Sequence, residues 1–346
     1  MDSGDHATKH KEMIDWLLID DDRKKLVYGQ VAANEGLPPV AIEKDFWVTL
    51  VLESVFELGQ AENMVFKGGT SLSKGWNLIQ RFSEDVDLAV DRKAFGFDGK
   101  LGSSKRTKLR KAIREFVLEE LTPGLIDNLQ EKGAEVEIEV WESENSDEDP
   151  STIEVRFPAV TETVKYLPPR VLVEVNARSL IEPNEEKELI PLVGSVFPQL
   201  EIDLIPVKIP CVLPRRTFLE KVFLLHEEFQ KNPDEMRADR LSRHLYDIEA
   251  IMDTDHGKEA LDDEDLYLDI IHHRKHLTKI SGIDYDKHLP GTINLVPPEA
   301  SIKQWQDDYR DMQESMIHGD SVSFDKLIDR MKELMERINQ LDFKGT

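Results

Sequence analysis

Asp85-Val86-Asp87 places two carboxylates at positions i and i+2, just ahead of the apolar run Leu88-Ala89-Val90. On a strand that spacing puts both side chains on one face, where hard oxygen ligands can grip a divalent cation such as Mg²⁺ or Mn²⁺. Alone, such a pair is more often a solvated strand face than a metal site. The weighing changes with Lys67-Gly68-Gly69-Thr70-Ser71 upstream. There two glycines allow a tight turn between a strand and a helix, and the free N–H groups at a helix start suit a phosphate chain. Gly68, Gly69, Thr70 and Ser71 are thus candidate nucleotide-binding residues, and Asp85 and Asp87 candidate metal ligands. Glu174 is the one acid in the strand-like Arg170-Val171-Leu172-Val173-Glu174-Val175-Asn176. It is a candidate for the carboxylate that activates an attacking hydroxyl, against the ordinary reading of an edge-facing acid.

These residues need elements to hold them. Trp16–Leu58 reads as helical, with Ile42, Phe46, Trp47, Leu50, Val51, Ser54 and Val55 on a repeating, mainly apolar face. Asn63–Phe66 is expected to be a short strand, followed by the glycine turn, a helix to about Arg81 and a strand from Asp85 to Val90. Ala134–Trp141 and Thr152–Phe157 read as a strand and its return, with the acidic Glu144–Asp149 as their loop. The middle region then holds about five strands and at least two helices. Beyond Arg216 the pattern is helical, with candidates at Thr217–Gln230, Arg240–Met252, Asp263–His276, Ile302–Met316 and Ser323–Leu341. Pro206, Pro210 and Pro214 mark a boundary. The predicted organisation is an α+β protein with N-terminal helices over 1–60, a mixed-sheet core over 61–213 and a helical C-terminal domain over 214–346.

Composition narrows the class. The chain has 346 residues, 40% hydrophobic and 33% charged, enough for real cores under a solvated surface. Met1–Lys11 is polar and no apolar run approaches the ~20 residues of a membrane span, so a cytoplasmic protein is expected. Cys211, the single cysteine, is expected to be a buried thiol. A net charge of −25 repels nucleic acid at long range, so a nucleic-acid substrate needs a local basic surface. Lys105, Arg106, Lys108, Arg110, Lys111 and Arg114 supply one, on a segment whose Leu109, Ile113 and Val117 recur at helical spacing. They are candidate RNA contacts; a solvated helix face explains them equally well. His272 and His276 share a helical face but lack an acidic third ligand, and a solvated helix end is the expectation.

The turn and the D-x-D together resemble the DNA polymerase β-type nucleotidyltransferase superfamily. The longer string from Phe66 to Lys74 and from Arg81 to Leu88 resembles its AbiEii/AbiGii toxin branch, as do Glu43-Lys44-Asp45-Phe46-Trp47, Thr217-Phe218-Leu219-Glu220-Lys221 with Leu224-Leu225-His226, and Arg243-His244-Leu245-Tyr246-Asp247-Ile248. The resemblance spans roughly residues 40 to 255. It implies a polymerase β-like core and Mg²⁺-dependent transfer of a nucleoside monophosphate from an NTP to an acceptor hydroxyl. It further implies that Lys221 meets the triphosphate and that Asp247 completes the site. On the same resemblance the acceptor is the 3′ end of tRNA, and the partner is a cognate antitoxin within a toxin–antitoxin or abortive-infection system. Two other readings fit the residues: nucleotidyl transfer to a protein or small molecule, which suits the acidic charge, and a nucleotide-binding regulator without catalysis. Expected to matter less are Glu84, as a flanking surface acid, and Trp76 and Phe82, as core.

Overall fold

The computed structural model describes residues 13–99, 101–142, 151–163, 167–177, 181–196, 204, 206–278 and 280–343. The polar Met1–Lys11 and the acidic Glu144–Asp149 lie outside them. The chain divides into two compact units. One comprises residues 1–75, 82–98 and 103–211; the other comprises 76–81, 99–102 and 212–346. The N-terminal helices belong to the first unit together with the sheet.

In the first unit, α1 (Asp21–Glu35) is capped by Asp20, whose side chain accepts from the Arg23 N–H. It leads through Gly36, at a φ of 68°, to α2 (Pro39–Phe56). Almost every position of α2 is buried, its charged Glu43, Lys44 and Glu53 included. A helix hydrophobic all round must sit inside the unit, and α2 packs on the sheet at β5 and on two further helices. The strands are β1 (Met64–Lys67), β2 (Val86–Val90), β3 (Glu137–Glu142), β4 (Ser151–Arg156), β5 (Arg170–Asn176), β6 (Asn184–Leu189) and β7 (Val207–Val212). They form one mixed sheet in the order β3-β4-β5-β2-β1-β7-β6. β2 runs antiparallel to β1 and parallel to β5, and β3, β4 and β5 are successively antiparallel. One face carries Val86, Leu88, Val171, Val173, Val175, Ile153 and Val155, all essentially without solvent exposure. By strand alternation the opposite face carries Asp87 and Glu174.

Between β2 and β3 lie α3 (Ser103–Phe116), a π-helical turn and α4 (Thr122–Glu131). Leu109, Ile113, Phe116 and Val117 are buried, so α3 turns its apolar stripe inward. Lys105, Lys108, Lys111 and Arg114 are exposed, while Arg106 and Arg110 are half-buried. Asn128 donates to the Ser54 carbonyl at 2.9 Å, and Lys132 pairs with Glu53 and Glu57 of the α2 end, tying α4 to α2.

The second unit is built around α5 (Pro214–Glu228), whose Phe218, Leu219, Val222, Phe223 and Leu225 are fully buried. It packs against α6 (Ser242–Ile251), α7 (Asp255–Asp262) and α8 (Glu264–His273), while α6 also meets α9 (Ile302–Ser315) and α10 (Phe324–Asn339). Glu227 joins distant parts of this unit, accepting from Arg274 Nε at 2.7 Å and pairing with His288 Nε2 at 3.0 Å. Buried carboxylates persist only with such partners.

Several elements depart from the sequence expectations. The helix foreseen from the glycine turn to Arg81 is one helical turn, Gly68–Thr70, then a π-helical turn, Ser71–Gly75. Asn77 at a φ of 50° stops it, and Trp76–Arg81 joins the second unit, where the Gln80 carbonyl accepts from the His318 N–H. β6 was not foreseen because Asn184-Glu185-Glu186-Lys187-Glu188 lacks apolar alternation; it is the terminal strand of the sheet, where charge is tolerated and discourages edge pairing. The short α7 was missed too; Thr254 caps it by accepting from the Gly257 N–H.

Candidate active site

The glycine turn and the D-x-D are interlocked. Gly68 has a φ of 80°, a conformation open to glycine at little cost, and a Cβ placed on it would lie 1.8 Å from Asp87 Oδ2 and 2.7 Å from Asp87 Cγ. The Asp87 carboxylate therefore rests directly on the Gly68 main chain, in the space a side chain would fill. Register explains the approach, since Lys67 pairs with Asp87 across β1 and β2. Asp87 in turn pairs with Glu174 across β2 and β5. Residues in register on neighbouring strands project to the same face, so the turn, Asp87 and Glu174 form one row across three strands. Asp85 precedes β2 by one residue, and both aspartates are half-buried while Glu174 is exposed.

The hydroxyls of the turn point inward. Thr70 Oγ1 donates to Ser83 Oγ at 2.9 Å, and Thr70 and Ser71 are both buried. What the turn offers at its surface is the half-buried main chain of Gly68 and Gly69. Cys211 is buried beneath this region, its Sγ 3.2 Å from where a Gly75 Cβ would lie, and burial pushes its thiol up to about 12.

Glu43, Lys44 and Asp45 fix the surroundings, each reaching a different segment. Glu43 accepts from the main chain of Val160 and Thr161. Lys44 pairs with Glu84 and donates to the Pro168 carbonyl at 2.9 Å. Asp45 accepts from Lys74 and from the Leu192 N–H, both at 2.6 Å. Trp47 stacks on Phe157 with centroids 4.9 Å apart. Glu84 is thus a buried, paired acid and not the surface acid expected; its neighbour Lys44 is what draws it inward. Burial lowers the Lys44 pKa, against the opposing pull of Glu84 and Asp85.

The second unit holds the other expected residues. Asp247 has no solvent exposure and accepts from Arg81 Nε at 2.6 Å and Nη2 at 2.8 Å. Lys221 Nζ lies 3.0 Å from Asp247 Oδ2 and 3.2 Å from His244 Nδ1. Burial alone would raise the Asp247 pKa; the charges of Arg81 and Lys221 more than offset it and hold the carboxyl well below the usual range. Burial, then the neighbouring Lys221 and Arg243 charges, pushes His244 down, so its ring is neutral and its Nδ1 can accept from the ammonium. Burial also lowers the Lys221 pKa. Lys221 is therefore no solvated surface lysine. Arg81, given no role from the sequence, is the main partner of Asp247. Tyr246 Oη accepts from the Gln80 N–H at 3.2 Å. Trp76, expected in the core, is half-buried and donates its indole N–H to the Val212 carbonyl, whereas Phe82 is buried as expected.

Among the described residues no group of three His, Cys, Asp or Glu side chains is gathered tightly enough to hold a metal by itself. The His272 and His276 rings stack on each other, 4.2 Å between centroids. Asp85 and Asp87 fit Mg²⁺ in another way, because that ion is commonly held by one or two carboxylates together with substrate phosphates. The all-oxygen donor pair, near the half-buried main chain of Gly68 and Gly69, has that chemistry.

A sequence profile for the AbiEii nucleotidyl transferase toxin of type IV toxin–antitoxin systems matches residues 51–330. The chain belongs to this family. It is accordingly a nucleotidyltransferase, and the interlocked turn and D-x-D lie inside the matched region. Among solved structures, MenT4, the nucleotidyltransferase toxin Rv2826c from Mycobacterium tuberculosis H37Rv, is similar with a TM-score of 0.52 and 18% identity, covering 91% of this chain and 90% of that one. At that identity the likeness speaks for the fold, and it agrees with the α+β architecture. JHP933 from Helicobacter pylori aligns with a TM-score of 0.41 and 13% identity over 87% of this chain and 92% of that one. No curated protein matches. Among the described residues no helix is long and apolar enough to cross a membrane.

Proposed function

We propose that this chain transfers a nucleoside monophosphate from an NTP to the 3′ hydroxyl of an RNA, with tRNA as the acceptor, and that it acts in the cytoplasm as a toxin restrained by a cognate antitoxin. The observation that carries the chemical part is the contact between Gly68 and Asp87, which joins a phosphate cradle to an acidic pair. Asp85 and Asp87 would hold Mg²⁺, or Mn²⁺ in its place, which when bound supplies positive charge beside the α-phosphate. The main chain of Gly68 and Gly69 receives the phosphates. Glu174, exposed and in register with Asp87, takes the proton of the acceptor hydroxyl as its oxygen bonds to the α-phosphorus and pyrophosphate leaves.

Asp247 has a different part. A carboxylate without solvent, saturated by Arg81 and Lys221, is a poor proton acceptor and a good anchor. It holds the ammonium of Lys221, the lysine that the family resemblance assigns to the triphosphate, assisted by the neutral His244. The exposed lysines of α3 offer the local basic surface that an RNA needs against the acidic whole. The test is incubation with each α-labelled NTP, Mg²⁺ and total tRNA beside Asp87→Ala. Label on tRNA with the intact protein alone supports the reading and names the nucleotide. Label on protein, or on no acceptor, refutes it.

A further inference from the structure

The row that contains Asp87 and Glu174 continues beyond them. Glu174 pairs with Thr152 on β4, and Thr152 pairs with Trp141 on β3. Lys67, Asp87, Glu174, Thr152 and Trp141 thus lie side by side on one face of the sheet. Trp141 stands three strands from Asp87, which at the usual strand spacing is about 14 Å. Trp141 is 53% exposed, an unusual position for the largest apolar side chain.

Trp141 also borders a cavity of about 750 Å³ on this unit, shared with Glu154, Arg156, Phe157, Pro168 and Arg170. Glu154 is buried and holds both arginines from beneath, Arg156 Nε at 2.8 Å and Arg170 Nη1 at 3.3 Å. Arg156 is braced again by Glu139 at 2.9 Å. With their charge met by carboxylates, the two guanidiniums are poor phosphate ligands. Held in place, they are good planar surfaces on the cavity that the Trp141 indole also borders, and such surfaces can stack a base.

We propose that this cavity is the acceptor subsite: a nucleobase just upstream of the reacting 3′ end of a single-stranded RNA stacks on Trp141 against the guanidiniums of Arg156 and Arg170. The proposal rests on the RNA-acceptor reading above and adds where the strand is gripped. Continuity of the face gives the strand a path from the platform past Thr152 to Glu174, where its hydroxyl is needed. Glu135 and Glu137 at the cavity rim add acceptors and no donors, so the subsite recognises the base and repels the phosphate. Carboxylate acceptors favour bases with an exocyclic amine, cytosine, adenine or guanine, over uracil.

The test uses the full chain, a fluorescein-labelled single-stranded RNA of about eight nucleotides, a length within the usual range of such sites, and the same RNA as transfer acceptor. Trp141→Ala is expected to weaken binding and raise KM for the RNA about tenfold, in keeping with the loss of one stacked base. KM for the NTP should stay unchanged, and Trp141→Phe should restore most of the affinity. Thermal melts of both variants exclude misfolding as the cause, since Trp141 is exposed on a terminal strand; Arg156→Ala, which trims the same platform from β4, should give the same selective rise. If the wild type labels RNA and Trp141→Ala matches it in KM and affinity, the subsite is refuted while the RNA-acceptor reading stands. If the wild type neither binds nor labels RNA but labels a protein, both fall.

Discussion

Replacing Gly68 by alanine tests the interlock at its tightest point. The new Cβ would meet Asp87 at 1.8 Å from Oδ2, 2.7 Å from Cγ and 3.0 Å from Cβ. Oxygen can swing away by rotation, but Cγ and Cβ yield only if β2 or the turn shifts. A left-handed alanine adds about 1–2 kcal/mol, so the expected loss of stability is roughly 2–5 kcal/mol once the steric shift is included. The effect on transfer should be larger in kind. Moving a ligating carboxylate by an ångström is enough to cost about a hundredfold in rate. Asp87→Ala removes the Oδ2 and Cγ collisions and leaves only the 3.0 Å contact, so the double variant Gly68→Ala/Asp87→Ala should recover part of the stability that Gly68→Ala loses. Urea unfolding of the four proteins in the cycle, with nucleotide transfer measured on each, reads both quantities. Additive stabilities, or a Gly68→Ala protein that transfers at the wild-type rate, would refute the interlock.

Asp247→Asn should cost about 3–5 kcal/mol in denaturant unfolding, because Arg81 and Lys221 would remain buried without their counter-charge; a loss under 1 kcal/mol would refute the anchoring role. His226 is pushed down to about 4, first by burial and then by His288, while the unfolded ring titrates near 6.5. Above pH 6.5 neither state binds the proton; below it the unfolded chain does and the folded chain refuses, so stability should fall by about 3 kcal/mol between pH 6.5 and 4. His244 acts in the same direction, and a His226→Gln variant should flatten part of the slope; an unchanged slope would count against the argument. Replacing Lys105, Lys108 and Lys111 with glutamine should reduce the salt dependence of RNA binding, lowering the slope of log affinity against log salt by about 0.7 for each lysine that meets a phosphate.

What the sequence disclosed depended on how local the signal was. Asp85 and Asp87 could be singled out because strand alternation is a property of neighbouring residues, and Gly68 because a tight turn between strand and helix favours a residue without a side chain. The partnership of Asp87 with Glu174 spans 87 positions of chain and is fixed by the parallel pairing of β2 with β5, which no local pattern encodes. Arg81 was invisible for the same reason. Its role exists only because the chain gives Trp76–Arg81 to the second unit, where Asp247 waits.

Glu43-Lys44-Asp45 shows the converse. As a string it entered only through the family resemblance, with no role assigned to its three charges. In the structure each charge is spent on holding a different segment near the turn: the 160–161 loop, Glu84 with the Pro168 carbonyl, and Lys74 with the start of the short helix at Leu192. Charges buried this deeply are stable only when paired, so their partners must be present whenever the unit is folded. The carboxylates of the proposed reacting face are set apart by exposure. Asp85 and Asp87 are half-buried and Glu174 is exposed, while the other face of the sheet is closed, and under the proposed function that access is what lets the three carboxylates meet a substrate.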